Sequence, residues 1–290
     1  MKIAIIGASG FLGTKLFTLL SKENEVIGTY SSRKREGLEF LDATNPSTVE
    51  EFIQKHSPEL VIDTIALTSS LACENDPNLC EKLNYLTAKN ILKSCEKNKC
   101  VLVFISSSYL FEGGKGNYSE EEEVVPQNEY ARTKIMAEKE ISHYKDAIIL
   151  RVDIMYGYNG KDAPNGVFNQ ILSEKPIDLR DPNQMRQPLF VDDVARVILN
   201  LVKKNKRGIF HIAGSTRVKI IDFLKKLETV VRGDSKVGIS KEKATVQIKI
   251  PKNATLNISK IEGLGIKTRS LKEGIEIMKM QVKASSFQRP

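Results

Sequence analysis

Hydrophobic positions along the chain fall into two alternating rhythms. Short, nearly unbroken apolar runs at residues 2–6, 25–29, 60–65, 101–106 and 147–152 read as buried strands. Between them, residues 12–20, 48–55, 79–97 and 130–143 carry apolar side chains at helical spacing. The helix at 48 follows Asn45-Pro46-Ser47, a natural capping sequence. Strands without a polar face, each followed by a helix, predict a parallel sheet covered on both sides. Past residue 155 the rhythm loosens. A Gly-, Asn- and Pro-rich loop at 156–166 precedes a helix at 167–173, and Phe190-Val191-Asp192-Asp193 leads into a helix at 194–203. Residues 208–212 read as a strand, 216–229 and 271–282 as helices, and 236–262 as a basic, β-leaning stretch. The expected fold class is α/β, a doubly wound parallel sheet with a smaller C-terminal α/β lobe.

Composition narrows the picture. The 290 residues are 41% hydrophobic, enough for a sizeable core. No run of about 18 apolar residues occurs, so no membrane span is expected. The apolar start breaks at Gly7, too early for a signal peptide, and a cytoplasmic protein is expected. The net charge of +8 comes from 44 basic against 36 acidic residues. The excess is spread over 203–207, 218–252 and the C-terminal end rather than gathered in one block. Nucleic acid is therefore not an expected partner, whereas anionic small molecules would use the positive potential. Cys73, Cys80, Cys95 and Cys100 form no C-x-x-C pair, and His56, His143 and His211 lie apart from them. Free thiols and no metal site follow. The acidic run 120–123 reads as a solvated loop.

The first turn carries chemistry. Gly7-Ala8-Ser9-Gly10-Phe11-Leu12-Gly13 follows the first strand and opens the first helix. Gly7 permits a tight turn, Gly10 lets backbone approach a pyrophosphate, and Gly13 lets helix and strand pack closely. Free N–H groups and the helix dipole then hold phosphate charge. This makes the sheet Rossmann-type. At the end of the second strand, an acid would bind a ribose 2′-hydroxyl. Tyr30-Ser31-Ser32-Arg33-Lys34-Arg35 contains none. Ser31, Ser32 and Arg33 suit a 2′-phosphate, so NADP(H) is preferred over NAD(H).

A second motif is Tyr130-Ala131-Arg132-Thr133-Lys134, whose spacing of four puts Tyr130 and Lys134 on one helix face. A phenol near pKa 10 needs help to exchange protons at neutral pH, and a neighbouring ammonium would lower its pKa. Lys134 would also hold the nicotinamide ribose. Upstream, Ser106-Ser107-Ser108-Tyr109 leaves the fourth strand at its C-terminal edge, where such sheets bind ligands. Ser107 is the expected partner of a substrate carbonyl oxygen, with Ser106 structural.

These residues resemble the extended short-chain dehydrogenases/reductases, which share the G-x-x-G-x-x-G spacing, and within them the dTDP-4-dehydrorhamnose reductase family. The likeness covers roughly residues 1–280. The family's Ser-Thr-Asp-Tyr-Val-Phe-Asp-Gly is similar to Ser106 through Gly113. Its Tyr-Gly-x-Thr-Lys-x-x-x-Glu is similar to Tyr130 through Glu138, and its Arg-Thr-x-x-x-Tyr-Gly to Arg151 through Gly157. The resemblance implies that Asp42 and Ala43 meet the adenine and that Ile65 and Ala66 line the cofactor channel. There the family shows Asn-Ala-Ala and this chain Asp63-Thr64-Ile65-Ala66. It also implies a substrate end at Ser108, Tyr109, Arg186 and Gln187, with Arg186 or Arg151 meeting diphosphate charge. Two departures stand out: Ser108 replaces the family's acid beside the active Thr, and Ile250 replaces the arginine before Pro251.

The implied domains are a Rossmann NADP-binding domain over 1–155, its sheet completed by part of 185–215, a lobe that is mainly substrate-binding over 156–283, and a flexible tail at 284–290. The implied function is NADPH-dependent reduction of the 4-keto group of a nucleotide-linked deoxysugar, an EC 1.1.1 type of reaction. Two alternatives share the scaffold. One is a sugar-nucleotide epimerase or dehydratase. The other is a non-catalytic NADP-binding subunit resembling the regulatory subunit of methionine adenosyltransferase. Such reductases commonly dimerise through surface helices, and helix 79–97 is the candidate for a homodimer contact.

Overall fold

A computed structural model describes residues 1–160, 163–172, 181–232 and 248–286. Five strands from the first half of the chain, β1 (Lys2–Ile6), β2 (Glu25–Tyr30), β3 (Leu38–Phe40), β4 (Leu60–Asp63) and β5 (Val101–Ser107), join β6 (Ala147–Val152) and a later strand at Gly208–Ile212. All pair in parallel, in the spatial order Gly208–Ile212, β6, β5, β4, β1, β2, β3. The order reverses between β1 and β4, the switch point of a doubly wound sheet.

The apolar strands explain why both faces are covered. Ile3, Ile5, Ile62, Val103 and Leu150 enter one core, and Ala4, Ile6, Val61, Phe104 and Ile149 enter the other. On the first face lie α1 (Phe11–Leu20) and a late helix at Val191–Lys203; on the second lie α2 (Pro46–His56), a helix at Thr87–Asn98 and a helix at Glu129–Ile141. Asn45 caps α2, its Oδ1 accepting from Ser47 N–H at 3.0 Å, with Pro46 at the first helical position.

The helix expected at 79–97 runs from Pro77 to Asn98 behind an earlier helix, with a π turn inside it. After α3 (Ser70–Asn75), Asp76 caps α4 (Pro77–Glu81), a π turn spans Lys82–Leu86, and α5 (Thr87–Asn98) follows. The extra residue of the π turn carries buried Asn84 to Leu67, where its Oδ1 accepts the Leu67 N–H at 2.7 Å and its Nδ2 donates to the Leu67 carbonyl at 3.2 Å. Tertiary hydrogen bonding overrode the helical period.

α6 (Glu129–Ile141) precedes β6. Beyond it lie β7 (Met155–Tyr156), α7 (Val167–Leu172), β8 (Met185–Arg186), β9 (Leu189–Phe190), α8 (Val191–Lys203), β10 (Gly208–Ile212), β11 (Val218–Lys219), α9 (Ile220–Arg232), α10 (Ser259–Glu262) and α11 (Leu271–Ser286). Tyr156, Phe190, Phe223, Leu227, Ile275 and Met278 build a third apolar cluster among them. Helix α8 starts at Val191, so Val191-Asp192-Asp193 is its first turn rather than a lead-in, and both carboxylates sit at the positive end of its dipole.

The β-leaning stretch is not a strand where it is described. Residues 248–258 run as irregular chain with isolated bridges Met185–Asn253 and Tyr118–Leu256, then turn into α10. Its backbone is tied down by side chains, Gln184 Nε2 donating to the Pro251 carbonyl at 2.8 Å and Gln187 Oε1 accepting from Leu256 N–H at 3.0 Å. Residues 236–247 lie outside the described residues, as do residue 173 of the expected helix 167–173 and residues 287–290 of the expected tail. Residues 284–286 are not tail but the last turn of α11.

Candidate active site

A cleft of about 450 Å³ opens along the C-terminal ends of β1, β4, β5 and β6. This is where an open α/β sheet can take a ligand, because each loop leaves its strand on that edge.

One end is made of backbone. Gly7 holds φ +89, a left-handed conformation, and its N–H reaches Thr29 Oγ1 at 3.2 Å. Gly13 lies against that turn: a Cβ there would sit 2.3 Å from the Gly7 carbonyl oxygen and 2.7 Å from Ala8 Cα. Gly10 caps α1 without any side-chain hydrogen bond, and no acid stands in the first turn. Gly10, Phe11 and Leu12 line the cleft, with Ser9 in the turn behind them. The helix N-terminus therefore offers uncapped N–H groups to an anion, which fits the pyrophosphate of a dinucleotide.

Across from it, Thr64, Ile65, Ala66 and Thr68 follow β4 into the cleft. Ser31, Ser32 and Arg33 are exposed on the loop after β2. Arg35, which the sequence reading passed over, folds back so that its Nη1 donates to Thr14 Oγ1 on α1. Ala43 is buried, its carbonyl accepting from Asn90 Nδ2 at 3.1 Å. Asp42 is exposed; its Oδ1 accepts from the Thr44 N–H at 3.0 Å and hydroxyl at 2.7 Å, which holds its carboxyl below the usual carboxylate range.

The chemical groups meet in the middle. Asn128 caps α6 by accepting from Ala131 N–H at 2.9 Å, while its own Nδ2 donates to the Lys249 carbonyl at 2.9 Å. This fixes the helix turn that carries Tyr130, and one turn later Lys134, into the cleft beside Ser107. Ser107 Oγ accepts the Tyr109 N–H at 3.1 Å. Ser106 lines the cleft as well, its buried hydroxyl without a partner among the described residues, although a structural role was expected for it.

Electrostatics here run against one expectation. Burial pushes the Tyr130 phenol up to about 12; the Ser107 hydroxyl opposes this, and Cys73, Tyr109 and Cys80 add to it. The ammonium of Lys134 is occupied elsewhere. It donates to the Ile105 carbonyl at 2.8 Å and lies 4.3 Å from the centre of the Phe104 ring. Burial lowers its pKa to about 8 against the pull of Asp63, Glu138 and the Cys80 and Cys73 thiols. Asp63, buried at the end of β4, is raised by its own burial to about 6 against Lys134 and the Ile65 N–H.

The far end is ionic. Tyr109, Asp153 and Arg186 line the cleft, and Arg186 pairs with Asp153. Ser108 and Gln187, expected at the substrate end, lie beneath it: Ser108 donates to Asp153 at 3.2 Å, and Gln187 gives Asp153 its backbone N–H at 2.6 Å. Arg151 is not in the cleft. It forms a buried bidentate pair with Glu138, at 2.8 to 3.1 Å, so the Glu of the Y-x-x-x-K-x-x-x-E pattern anchors α6 to β6. Asn84 and Asp153 gave no signal in the sequence, because each works through a contact more than 15 residues away, and the cap at Asn128, although local, was not singled out. No histidine lines the cleft, and burial together with Arg151 lowers His211 to about 3. Among the described residues no three metal-type ligands cluster, no helix is long and apolar enough to cross a membrane, and all four cysteines are free and buried.

Comparison with known proteins bears on this arrangement. A family model described as the RmlD substrate binding domain matches residues 1–283. The chain is 27% identical over 285 residues to a probable low-salt glycan biosynthesis reductase of Haloferax volcanii, covering 93% of this chain and 95% of that one. It is 30% identical over 225 residues to the methionine adenosyltransferase 2 subunit beta of Xenopus tropicalis, covering 74% of this chain and 67% of that one. The crystal structure of a dTDP-4-dehydrorhamnose reductase from Clostridium acetobutylicum superposes with a TM-score of 0.84 at 27% identity, over 98% of this chain and all of that one.

Proposed function

The chain belongs to the RmlD substrate binding domain family, and on that premise we propose that it is an NADPH-dependent reductase of the 4-keto group of a nucleotide-linked deoxysugar. It is an extended short-chain dehydrogenase/reductase and an NAD(P)-dependent oxidoreductase. The observation that carries the finer reading is the convergence of Ser107, Tyr130 and Lys134 on one cleft with the uncapped glycine turn. The choice of NADP(H) rests on residues 30–35, which contain no acid and include Ser31, Ser32, Arg33 and Arg35.

A nicotinamide, when bound, supplies the hydride that no side chain of the chain can. Tyr130 stays protonated at neutral pH and gives its proton to the oxygen of the reduced carbonyl, since an alkoxide is more basic than even this buried phenolate. Ser107 donates a hydrogen bond to the same oxygen as negative charge develops. Lys134 keeps its ammonium in the same cleft, held on the Ile105 carbonyl, and apolar Ile65, Ile105, Val152 and Met155 keep that end of the cleft dry.

The test is NADPH oxidation by the pure protein with a dTDP-4-keto-6-deoxysugar. Tyr130→Phe is expected to lower kcat by about 10²–10⁴ with NADPH affinity kept. A second reading follows from the likeness to methionine adenosyltransferase 2 subunit beta. Tight NADPH binding without turnover, together with association with a methionine adenosyltransferase, would replace the reductase by a regulatory subunit. A tightly retained NAD would instead point to an epimerase or dehydratase.

A further inference from the structure

The ionic end of the cleft contains a network centred on one carboxylate, and its interpretation rests on the reductase reading. The side chain of Asp153 is 0% exposed. Its Oδ1 accepts from Ile154 N–H at 2.7 Å, from the Ser108 hydroxyl at 3.2 Å and from Arg186 Nη2, while Oδ2 accepts from Gln187 N–H at 2.6 Å. Arg186 gives its Nη1 to the Tyr109 hydroxyl and lies 4.5 Å from the centre of that ring. Its Nε is buried with no partner among the described residues. Tyr109 in turn meets Tyr130 edge to face, with 6.4 Å between ring centres. The carboxylate thus governs, through Arg186 and Tyr109, the wall beside the proton donor.

Two features give this network a purpose. The first is charge. Arg186 and the buried carboxylate it contacts form a pair with no net charge, so a phosphate gains little from approaching it and is repelled by Asp153. An uncharged oxygen needs only a fixed N–H or O–H donor, and the pair supplies that. The second is position. The related pattern Ser-Thr-Asp-Tyr places an acid where this chain has Ser108. Pairing of Ser107 with Val152, the last residues of β5 and β6, sets residue 108 beside residue 153 just past the two strand ends, and the Ser108 hydroxyl touches the Asp153 carboxylate. Two positions just past the ends of adjacent strands therefore address one point.

We propose that Asp153 is a specificity-determining positioning residue, which supplies from the end of β6 the carboxylate that the related pattern carries at position 108, offsets the charge of Arg186, and sets Arg186 and Tyr109 to receive uncharged sugar oxygens rather than the diphosphate. Removing the charge leaves a buried free guanidinium that no longer holds Tyr109 in place and attracts anions instead. Moving the acid back to position 108 restores the pair.

The experiment compares the unmodified protein with Asp153→Asn, Asp153→Ser and the exchange variant Ser108→Asp with Asp153→Ser, all saturated with NADPH. Steady-state turnover of a dTDP-4-keto-6-deoxysugar gives KM and kcat, and calorimetric titration with inorganic pyrophosphate reads the exposed charge. In Asp153→Asn and Asp153→Ser, KM should rise by about tenfold or more, kcat should fall by less than about threefold, and pyrophosphate should bind more tightly. The exchange variant should return both readouts to within about threefold of the unmodified protein. Asp153→Asn behaving like the unmodified protein in both readouts, or an exchange variant no better than Asp153→Ser, overturns the proposal. Should the unmodified protein reduce no keto sugar, the reductase reading fails, and the pyrophosphate titration alone decides whether Asp153 offsets the charge of Arg186.

Discussion

The two ends of the cleft are made of different materials. The proposed cofactor end is backbone: a left-handed Gly7, a Gly13 with no room for a side chain, and a helix start left uncapped. The proposed substrate end is side chain, with Tyr109, Asp153 and Arg186 arriving from three separate segments and Ser108 and Gln187 bracing them from below. Seven consecutive residues suffice for the first. The second exists only once the sheet has brought residues 33 positions apart into contact. A backbone site tolerates change everywhere except at its glycines, whereas a side-chain network can be rebuilt from another position on a neighbouring strand.

The largest effect that would sharpen this contrast is at Gly13. Gly13→Val would drive a branched Cβ into the Gly7 carbonyl oxygen, and backbone at that distance cannot step aside. Overpacking should cost about 1–3 kcal/mol or more in denaturant unfolding, and NADPH binding should be lost. Arg186→Met at the other end should keep NADPH affinity within about twofold, because it leaves the glycine turn untouched. A Gly13→Val protein that binds NADPH normally would break the contrast.

Legibility in the sequence followed the same division. Six of the seven strands of the main sheet were readable to within two residues because their apolar runs are nearly unbroken, whereas the three-residue edge strand β3 was not. The glycine turn and the Tyr130–Lys134 spacing were readable because each is local. Helix 79–97 was readable in extent, since the chain stays helical from Pro77 to Asn98, but the π turn within it was not, because it serves the contact of buried Asn84 with Leu67 outside the helix. The stretch leading to α10 was misread because Gln184 and Gln187, far away in sequence, hold its backbone in place of a sheet. Asp153 was hidden for the same reason. Its residue type was visible, but its partners were set by the pairing of β5 with β6.

Lys134 stands between the two ends, and its titration is the next prediction in size. Burial brings it to about 8, and Asp63 is the strongest of the opposite charges that hold it up, ahead of Glu138, Cys80 and Cys73. A lysine that must be charged works below its pKa, so kcat/KM should fall as pH rises through about 8. Asp63, at about 6, is ionised above that value and contributes the acid limb. Asp63→Asn keeps an oxygen for the Ile65 N–H but removes the charge. The alkaline limb should therefore move down by about one unit or more, and the acid limb near 6 should disappear. An unchanged pH profile would mean that the carboxylate does not set the charge of Lys134.

The smallest effect is expected where the cofactor end ceases to be backbone. Arg33 is exposed, whereas Arg35 is held on the Thr14 hydroxyl, close to the start of α1. A free arginine must give up side-chain freedom to meet a 2′-phosphate, and an anchored one has already done so. Arg35→Ser should therefore lower kcat/KM for NADPH by about tenfold, and Arg33→Ser by only about threefold, with NADH values nearly unchanged in both. Steady-state kinetics with each cofactor, repeated at raised salt, would check this, since an exposed contact is screened more than a half-buried one. If Arg33→Ser proves the more damaging, the 2′-phosphate is met by the mobile side chain. Cofactor choice would then resemble the glycine turn less than the network around Asp153, because it would depend on a contact made only when the ligand arrives.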